Sequence, residues 1–286
     1  MSDTRRKDGS HVLLHVFLAT FTLLAIYPVL WVVSVAFSGT QNLAFADVPP
    51  DPGFLDRLRA IVPWPETVSI KNFVDVLTEQ PFLTWLMNSA IVATATTVVG
   101  VFLACTAAYA FSRFRFPGRQ AGMMSFLVSQ MFPGTLLLVP LYIIIVSWLK
   151  LGNSFIGLVL VYSVTAIPFC VWMLKGYFDT IPLEIEESAI MDGASRQTIF
   201  FRIILPLIQP ALITAAIFSF YWTWEDFLGP LVYLNAPQQY TVSLALRAFS
   251  DPSAGTDWGA IFAMSSVSLI PVFLIFIFFQ RYLVQG

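Results

Sequence analysis

Residues 179–210 read DTIPLEIEESAIMDGASRQTIFFRIILPLIQP, and this polar stretch, set between long apolar runs, decides how the chain is organised. Pro182 suits the first turn of a helix, where its missing N–H loses nothing, and Glu184, Glu186 and Glu187 follow where the helix dipole favours negative charge. Gly193 can end that helix in a left-handed conformation, Ser195 can cap a second one, and Pro206 marks the return to apolar sequence. The pattern predicts two short helices joined at Gly193, within a polar insertion covering residues 178–206.

On either side of the insertion the sequence is written for lipid. Apolar residues make up 57% of the chain and charged residues only 11%, against about a quarter charged in ordinary soluble domains. A large soluble core could use 27 Phe and 8 Trp, but the charged shell it would need is missing. A bilayer core about 30 Å thick needs roughly 20 apolar residues per helix. Six segments reach that length, at 12–38, 85–112, 122–149, 154–177, 207–231 and 258–283. The expectation is an all-α integral membrane protein with six transmembrane helices, kinked at Pro28, Pro133, Pro140, Pro168 and Pro271. Residues 12–37 are too long for a signal-peptide core and lack a small-residue cleavage site, so they read as a retained first span after a tail at 1–11.

Basic residues set the orientation. With the N-terminus inside, Arg5, Arg6, Lys7, Arg113, Arg115, Arg119, Lys175, Arg196, Arg202 and Arg281 fall on the cytoplasmic side, whereas the short outer connections hold Lys150 and Arg247. This topology gives two extracytoplasmic loops, at 39–84 and 235–257, the first rich in Pro, Asp and aromatic residues and expected to be ordered. A net charge of −2 offers no basic surface for nucleic acid. Cys105 and Cys170 lie in apolar runs as small hydrophobes, and His11 and His15 lack the spacing of a metal site.

The spacing of Glu187-Ser188-Ala189, then Gly193, then Ile203-x-Leu205-Pro206 resembles the EAA loop of ABC importer permeases, with Ser where the second Ala usually stands. QMFPGTLLLVPLY (130–142), KGYFDTIP (175–182) and MDGAS (191–195) resemble the MalG-like permeases of maltose and trehalose importers, and the likeness extends over nearly all six spans. The resemblance implies a type I ABC importer permease fold in the inner membrane, with a cytoplasmic coupling helix seated in a cleft of an ATPase. It carries over Glu187, Ser188, Ala189, Ile190, Met191, Asp192, Gly193, Ser195 and Arg196 as the coupling residues. Glu187 is expected to meet a basic partner, with Ala189, Ile190 and Met191 in the apolar part of the cleft. An interfacial helix that merely anchors the protein would carry a basic face, whereas this one opens on acids.

No phosphate-binding G-x-x-x-x-G-K-[ST] loop occurs in the sequence, so ATP and Mg are expected on the partner ATPase and no cofactor on this chain, which is not itself an enzyme. The implied partners are an ATPase homodimer, a second MalG/MalF-like permease, an extracytoplasmic sugar-binding protein and membrane lipid. In the family, the loop between spans five and six enters the opened binding protein as a scoop. Here its small, polar, turn-forming tip is Asp251, Pro252, Ser253, Ala254, Gly255 and Thr256. Such permeases continue past the last span with a glycine-rich tail, which a sequence ending at Gln285-Gly286 does not show, so a tail contact is not carried over.

Carboxylates in a span are functional candidates because they are costly there. Glu225 lies roughly 27 Å along its helix from residue 207, at about 1.5 Å per residue, which places Glu225 and Asp226 near the outer interface rather than the midplane. They read as an outer gate or as helix packing ahead of direct sugar contact. Tyr221, Trp222 and Trp224 fit either sugar stacking along the path or an interfacial aromatic belt. Gln130 and Asn88 read as interhelical hydrogen-bond partners. An ion-driven carrier would place ionisable groups at the midplane and often show internal repeats, and a membrane enzyme would need a zinc or nucleophile motif. Neither pattern is evident here.

Overall fold

A computed structural model describes residues 4–39, 51, 53–62, 64–65, 67–251 and 255–285. In chain order the helices are α1 (Thr4–Ala36), α2 (Phe54–Ile61), α3 (Lys71–Glu79), α4 (Phe82–Arg113), α5 (Arg119–Met131), α6 (Gly134–Tyr142), α7 (Phe155–Asp179), α8 (Leu183–Met191), α9 (Arg196–Thr198), α10 (Leu205–Leu207), α11 (Gln209–Glu225), α12 (Leu228–Tyr233), α13 (Val242–Ala248) and α14 (Trp258–Gln285). A π-helical turn, Ile143–Trp148, extends α6, and another, Ile199–Ile204, joins α9 to α10. Sheet structure among the described residues is a two-residue ladder pairing β1 (Ser250–Asp251) with β2 (Gly255–Thr256), besides a single bridge from Ser38 to Val68.

Among the described residues four helical stretches are long and apolar enough to cross a bilayer: His11–Ala36, Phe82–Arg113, Phe155–Asp179 and Trp258–Tyr282. Six result if each of two bent pairs counts as one span. The first pair, Arg119–Met131 and Gly134–Trp148, bends by 102°. Its cause is local: Phe132 is pushed to an extended conformation (φ −81, ψ 128) by the following Pro133, itself extended (φ −56, ψ 127), and two extended residues end a helix. The expected span at 122–149, kinked at Pro133, is therefore broken there into two helices. Pro28, Pro140, Pro168 and Pro271 sit inside continuous helices. The second pair, Arg196–Leu207 and Gln209–Glu225, bends by 77° near Ile208, with Pro206 and Pro210 at the first turns on either side. The expected fifth span, 207–231, also stops at Glu225 and restarts as α12.

The chain divides into two compact units. One comprises residues 1–82 and 246–269. In it the Asn72 side-chain amide donates to the carbonyls of Ala36 (3.0 Å) and Ser38 (2.9 Å), closing the end of α1, and the Phe37 ring packs on Phe73. The other comprises residues 83–245 and 270–286, and α7 is its centre. Leu158, Val171, Leu174 and Phe178 of α7 are fully buried, while α4 contributes the small residues Ala104, Cys105 and Ala108, which let helices approach closely. Cys105 and Cys170 are both buried thiols in this core.

Irregular backbone in the second unit is held by side chains. The Trp85 indole N–H donates to the Pro237 carbonyl (2.8 Å), the Asn88 amide donates to the carbonyls of Gln238 (2.8 Å) and Tyr240 (3.0 Å), and Ser89 accepts from the Val242 N–H (2.9 Å). From the other direction, Asn153 Oδ1 accepts from the N–H groups of Asn235 and Ala236. Asn88 is thus a tether for the loop rather than a bond between spans.

The corner into α7 leaves no room at Gly157, where a Cβ would lie 2.3 Å from the carbonyl oxygen of Leu151. Gly157→Ala is expected to destabilise the detergent-solubilised chain by about 1–3 kcal/mol, seen as a lower melting temperature. Gly176 in the same helix faces open space, so Gly176→Ala should instead stabilise by up to about 1 kcal/mol. Equal responses at the two positions would refute the steric account.

Candidate functional site

The polar insertion folds as two short helices hinged at Gly193. Pro182 (φ −57, ψ 138) precedes α8, whose first turn carries Glu184 and Glu186. At the other end the Ala194 N–H donates to the Ala189 carbonyl and the Gly193 N–H to the Ile190 carbonyl, both at 2.9 Å, with Gly193 at φ +81. This is the Schellman arrangement, which needs a left-handed residue at the position Gly193 fills. Ser195 then caps α9 by accepting from the Thr198 N–H (3.2 Å).

The two faces of α8 differ. Glu186 is buried, its carboxylate accepting from the Tyr109 hydroxyl (2.8 Å) and from Arg113 Nε (2.5 Å), and a second Arg113 nitrogen donates to the Ile181 carbonyl (3.0 Å). Ala189 is buried in the chain's own core, where the sequence reading had it filling a partner's cleft. On the open face stand Glu187, Ser188, Ile190, Met191, Asp192 and, past the hinge, Ser195. Met191 is 87% exposed, the most exposed apolar side chain of α8. Arg196 lies over the Phe114 ring, 5.2 Å from its centre. Sequence reasoning passed over Glu186. The available signal was its helical spacing from Ala189 and Gly193 on one face, together with the basic residue Arg113 ending a long apolar helix.

At the other end of α11, Asp226 is a structural residue. Its Oδ2 accepts from the Tyr162 hydroxyl and from the Gly229 N–H, both at 2.8 Å, and its carbonyl accepts from the Ser243 hydroxyl (2.6 Å). Glu225 is exposed, one turn after the exposed Tyr221. Trp224 is buried and stacked on Phe220 (5.4 Å), away from Trp222, which is 67% exposed.

A cavity of about 350 Å³ lies between α5, α7 and α11, with Gln130, Thr165, Ser219, Tyr221, Trp222 and Glu225 in its wall. A neighbouring one of about 250 Å³ shares Tyr162, Thr165 and Trp222 with it and adds Asp226. Gln130 donates to the Thr165 carbonyl (3.3 Å), and the buried Ser219 hydroxyl has no hydrogen-bond partner. The expected path residues Tyr221, Trp222, Glu225 and Asp226 line these spaces, and Trp224 does not.

The loop tip is partly outside the described residues, which exclude Pro252, Ser253 and Ala254. Asp251 pairs with Gly255, and Thr256 with Ser250, in the two-residue ladder. Among the described residues no three of His, Cys, Asp and Glu come together as metal ligands.

Comparison with known proteins gives a consistent answer. The family described as binding-protein-dependent transport system inner membrane component matches residues 96–286. The chain is 33% identical over 286 residues to the inner membrane ABC transporter permease protein YcjP of Escherichia coli, covering 99% of this chain and 96% of that protein. It is likewise 33% identical over 282 residues to the maltose/maltodextrin transport system permease protein MalG of Vibrio vulnificus, covering 95% and 92%. In fold it matches a chain of a bacterial ABC transporter involved in the import of the acidic polysaccharide alginate, with a TM-score of 0.77, 22% identity and coverage of 99% and 98%.

The contrast between the two carboxylates is testable. Asp226→Ala removes the acceptor for Tyr162 and Gly229, at an expected cost of about 1–3 kcal/mol. Glu225→Ala should stay within about 0.5 kcal/mol, as surface changes do. Melting of the purified variants checks both, and a Glu225 variant as unstable as the Asp226 one would contradict the assignment.

Proposed function

Because this chain belongs to the family of binding-protein-dependent transport system inner membrane components, we propose that it forms half of the translocation path for a maltose- or trehalose-like oligosaccharide, by alternating access. It is a permease subunit of an ABC sugar importer and a transport subunit rather than an enzyme. ATP and Mg then belong to a separate ATPase homodimer, a MalF-like permease supplies the other half of the path, and an extracytoplasmic binding protein delivers the sugar. The N-terminus is cytoplasmic, in keeping with the distribution of Lys and Arg along the sequence.

The observation that carries this reading is the open face of α8. One side of the helix is locked to the chain by Glu186, while Glu187, Ile190 and Met191 project from the other. An exposed acid beside exposed apolar side chains fits a cleft with a basic rim and an apolar floor, which a coupling helix requires. The cavity supports the substrate class, because a sugar presents both hydroxyls and apolar ring faces. Tyr221 and Trp222 offer aromatic faces, and Gln130 and Glu225 offer polar atoms.

In vesicles carrying the full transporter, native chain should take up maltose or trehalose only with ATP and binding protein present. Glu187→Lys reverses the charge offered to the ATPase, and opposed like charges cost several kcal/mol, so uptake should fall by at least about tenfold with the protein still inserted. Gly193→Pro should do the same, since it removes both the N–H given to Ile190 and the left-handed φ. Normal sugar-stimulated hydrolysis and uptake in both variants would end the coupling-helix assignment.

The tip at 251–256 is proposed as the segment that enters the binding protein. Replacing it with a two-glycine link should spare insertion and ATPase docking and lower uptake at limiting sugar. Unchanged uptake would reduce it to a connector.

A further inference from the structure

The last turn of α4 grips the chain on both sides of the insertion's first bend. Ser112 donates to Asp179 at the end of α7 (2.6 Å), Arg113 donates to the Ile181 carbonyl in the linker, and Arg113 and Tyr109 together hold Glu186 in α8. Lys175 pairs with Asp179 from the preceding turn (2.5 Å). The central pair is shielded, with 7% of the Arg113 side chain and 11% of the Glu186 side chain exposed. Around it the Tyr109 ring packs against Phe178 of α7 (5.6 Å), Phe200 of the second π turn (4.9 Å) and Phe114 (6.0 Å).

We propose that Tyr109, Arg113 and Glu186 form a rigid strut that makes α8 and the end of α4 move as one body, so that displacement of the coupling helix is delivered to α4. This rests on the importer reading above. The geometry is that of a clamp and not of a single hinge pin. A guanidinium is a planar fork, and here its two arms reach a carbonyl before α8 and a carboxylate within it, fixing the helix at two points against sliding and rotation. The phenol adds a third bond from one turn earlier on α4. Buried, hydrogen-bonded pairs of this kind yield little to solvent or salt. These are positioning residues: none reaches the open face through which α8 would meet an ATPase.

The test uses the complete transporter in lipid nanodiscs, with spin labels at Leu183→Cys at the start of α8, ahead of the residues offered to the ATPase, and Leu103→Cys on α4. Both positions are exposed, whereas native Cys105 and Cys170 are buried. The expected result is one label-to-label distance that stays the same in the nucleotide-free and vanadate-trapped states. Tyr109→Phe keeps the ring packing and loses only the bond to Glu186, and Glu186→Gln keeps the shape and loses the charge. In both, that distance should broaden or shift between states, and sugar taken up per ATP hydrolysed should fall about tenfold, the equivalent of one charge-assisted hydrogen bond. A native distance that changes between states, or native uptake per ATP in both variants, overturns the strut while leaving the importer reading intact. Failure of the native chain to retain any ATPase overturns the importer reading and the strut with it.

Discussion

A backbone amide surrounded by hydrocarbon has no partner except another part of the protein, and leaving it unpaired costs several kcal/mol. The chain interrupts its apolar helices where other groups supply the missing bonds. After α11, the Asp226 carboxylate takes the Gly229 N–H and the Ser243 hydroxyl takes the Asp226 carbonyl. Through residues 235–242, Trp85, Asn88, Ser89 and Asn153 satisfy the backbone from two sides. The polar side chains of this apolar protein are therefore spent chiefly on its own main chain.

The chain turns by 102° at Phe132–Pro133, between α5 and α6. The space between α5, α7 and α11 carries a wall of mixed character: aromatic faces from Tyr221 and Trp222, an amide from Gln130, and one exposed carboxylate, Glu225. Asp226 next in sequence is already committed to Tyr162 and Gly229. Adjacent acids thus play different parts because the helix ends between them.

The insertion was legible in the sequence because its signals are local. Pro182, Gly193 and Ser195 each act through their own backbone or the next turn; Gly193 and Ser195 stand where the capping rules place them, and Pro182 stands one residue ahead of the first turn, at the N-cap of α8. The membrane segments were legible from length and apolarity. What the sequence concealed depends on contacts far along the chain. Glu184, Glu186 and Glu187 look alike in a row, and only the approach of Tyr109 and Arg113, more than seventy residues earlier, buries Glu186 and leaves Glu187 outside. Trp224 looked equivalent to Trp222 for the same reason, yet two residues on a helix face different sides, and one is stacked in the core. The bend at Pro133 is a matter of degree: Pro28, Pro140, Pro168 and Pro271 are accommodated within helices, and the difference here is that Phe132 also leaves helical geometry.

The burial of Glu186 needs a reason other than stability. Removing two charges from water costs several kcal/mol each, and replacing such a pair with apolar side chains of similar volume is often neutral or stabilising. The surroundings would accept that replacement, since Phe178, Ile199 and Phe200 already make an apolar bed beneath α8, in one cluster with its own Ala189. Apolar contacts, however, are non-directional and would let a nine-residue helix slide or roll over that bed. Hydrogen bonds from a planar guanidinium and a phenol specify both position and rotation. They therefore fix which face of α8 points away from the chain, and that face carries Glu187, Ile190 and Met191. The buried acid sets the orientation of the exposed one beside it, so a helix of only nine residues can present a defined surface.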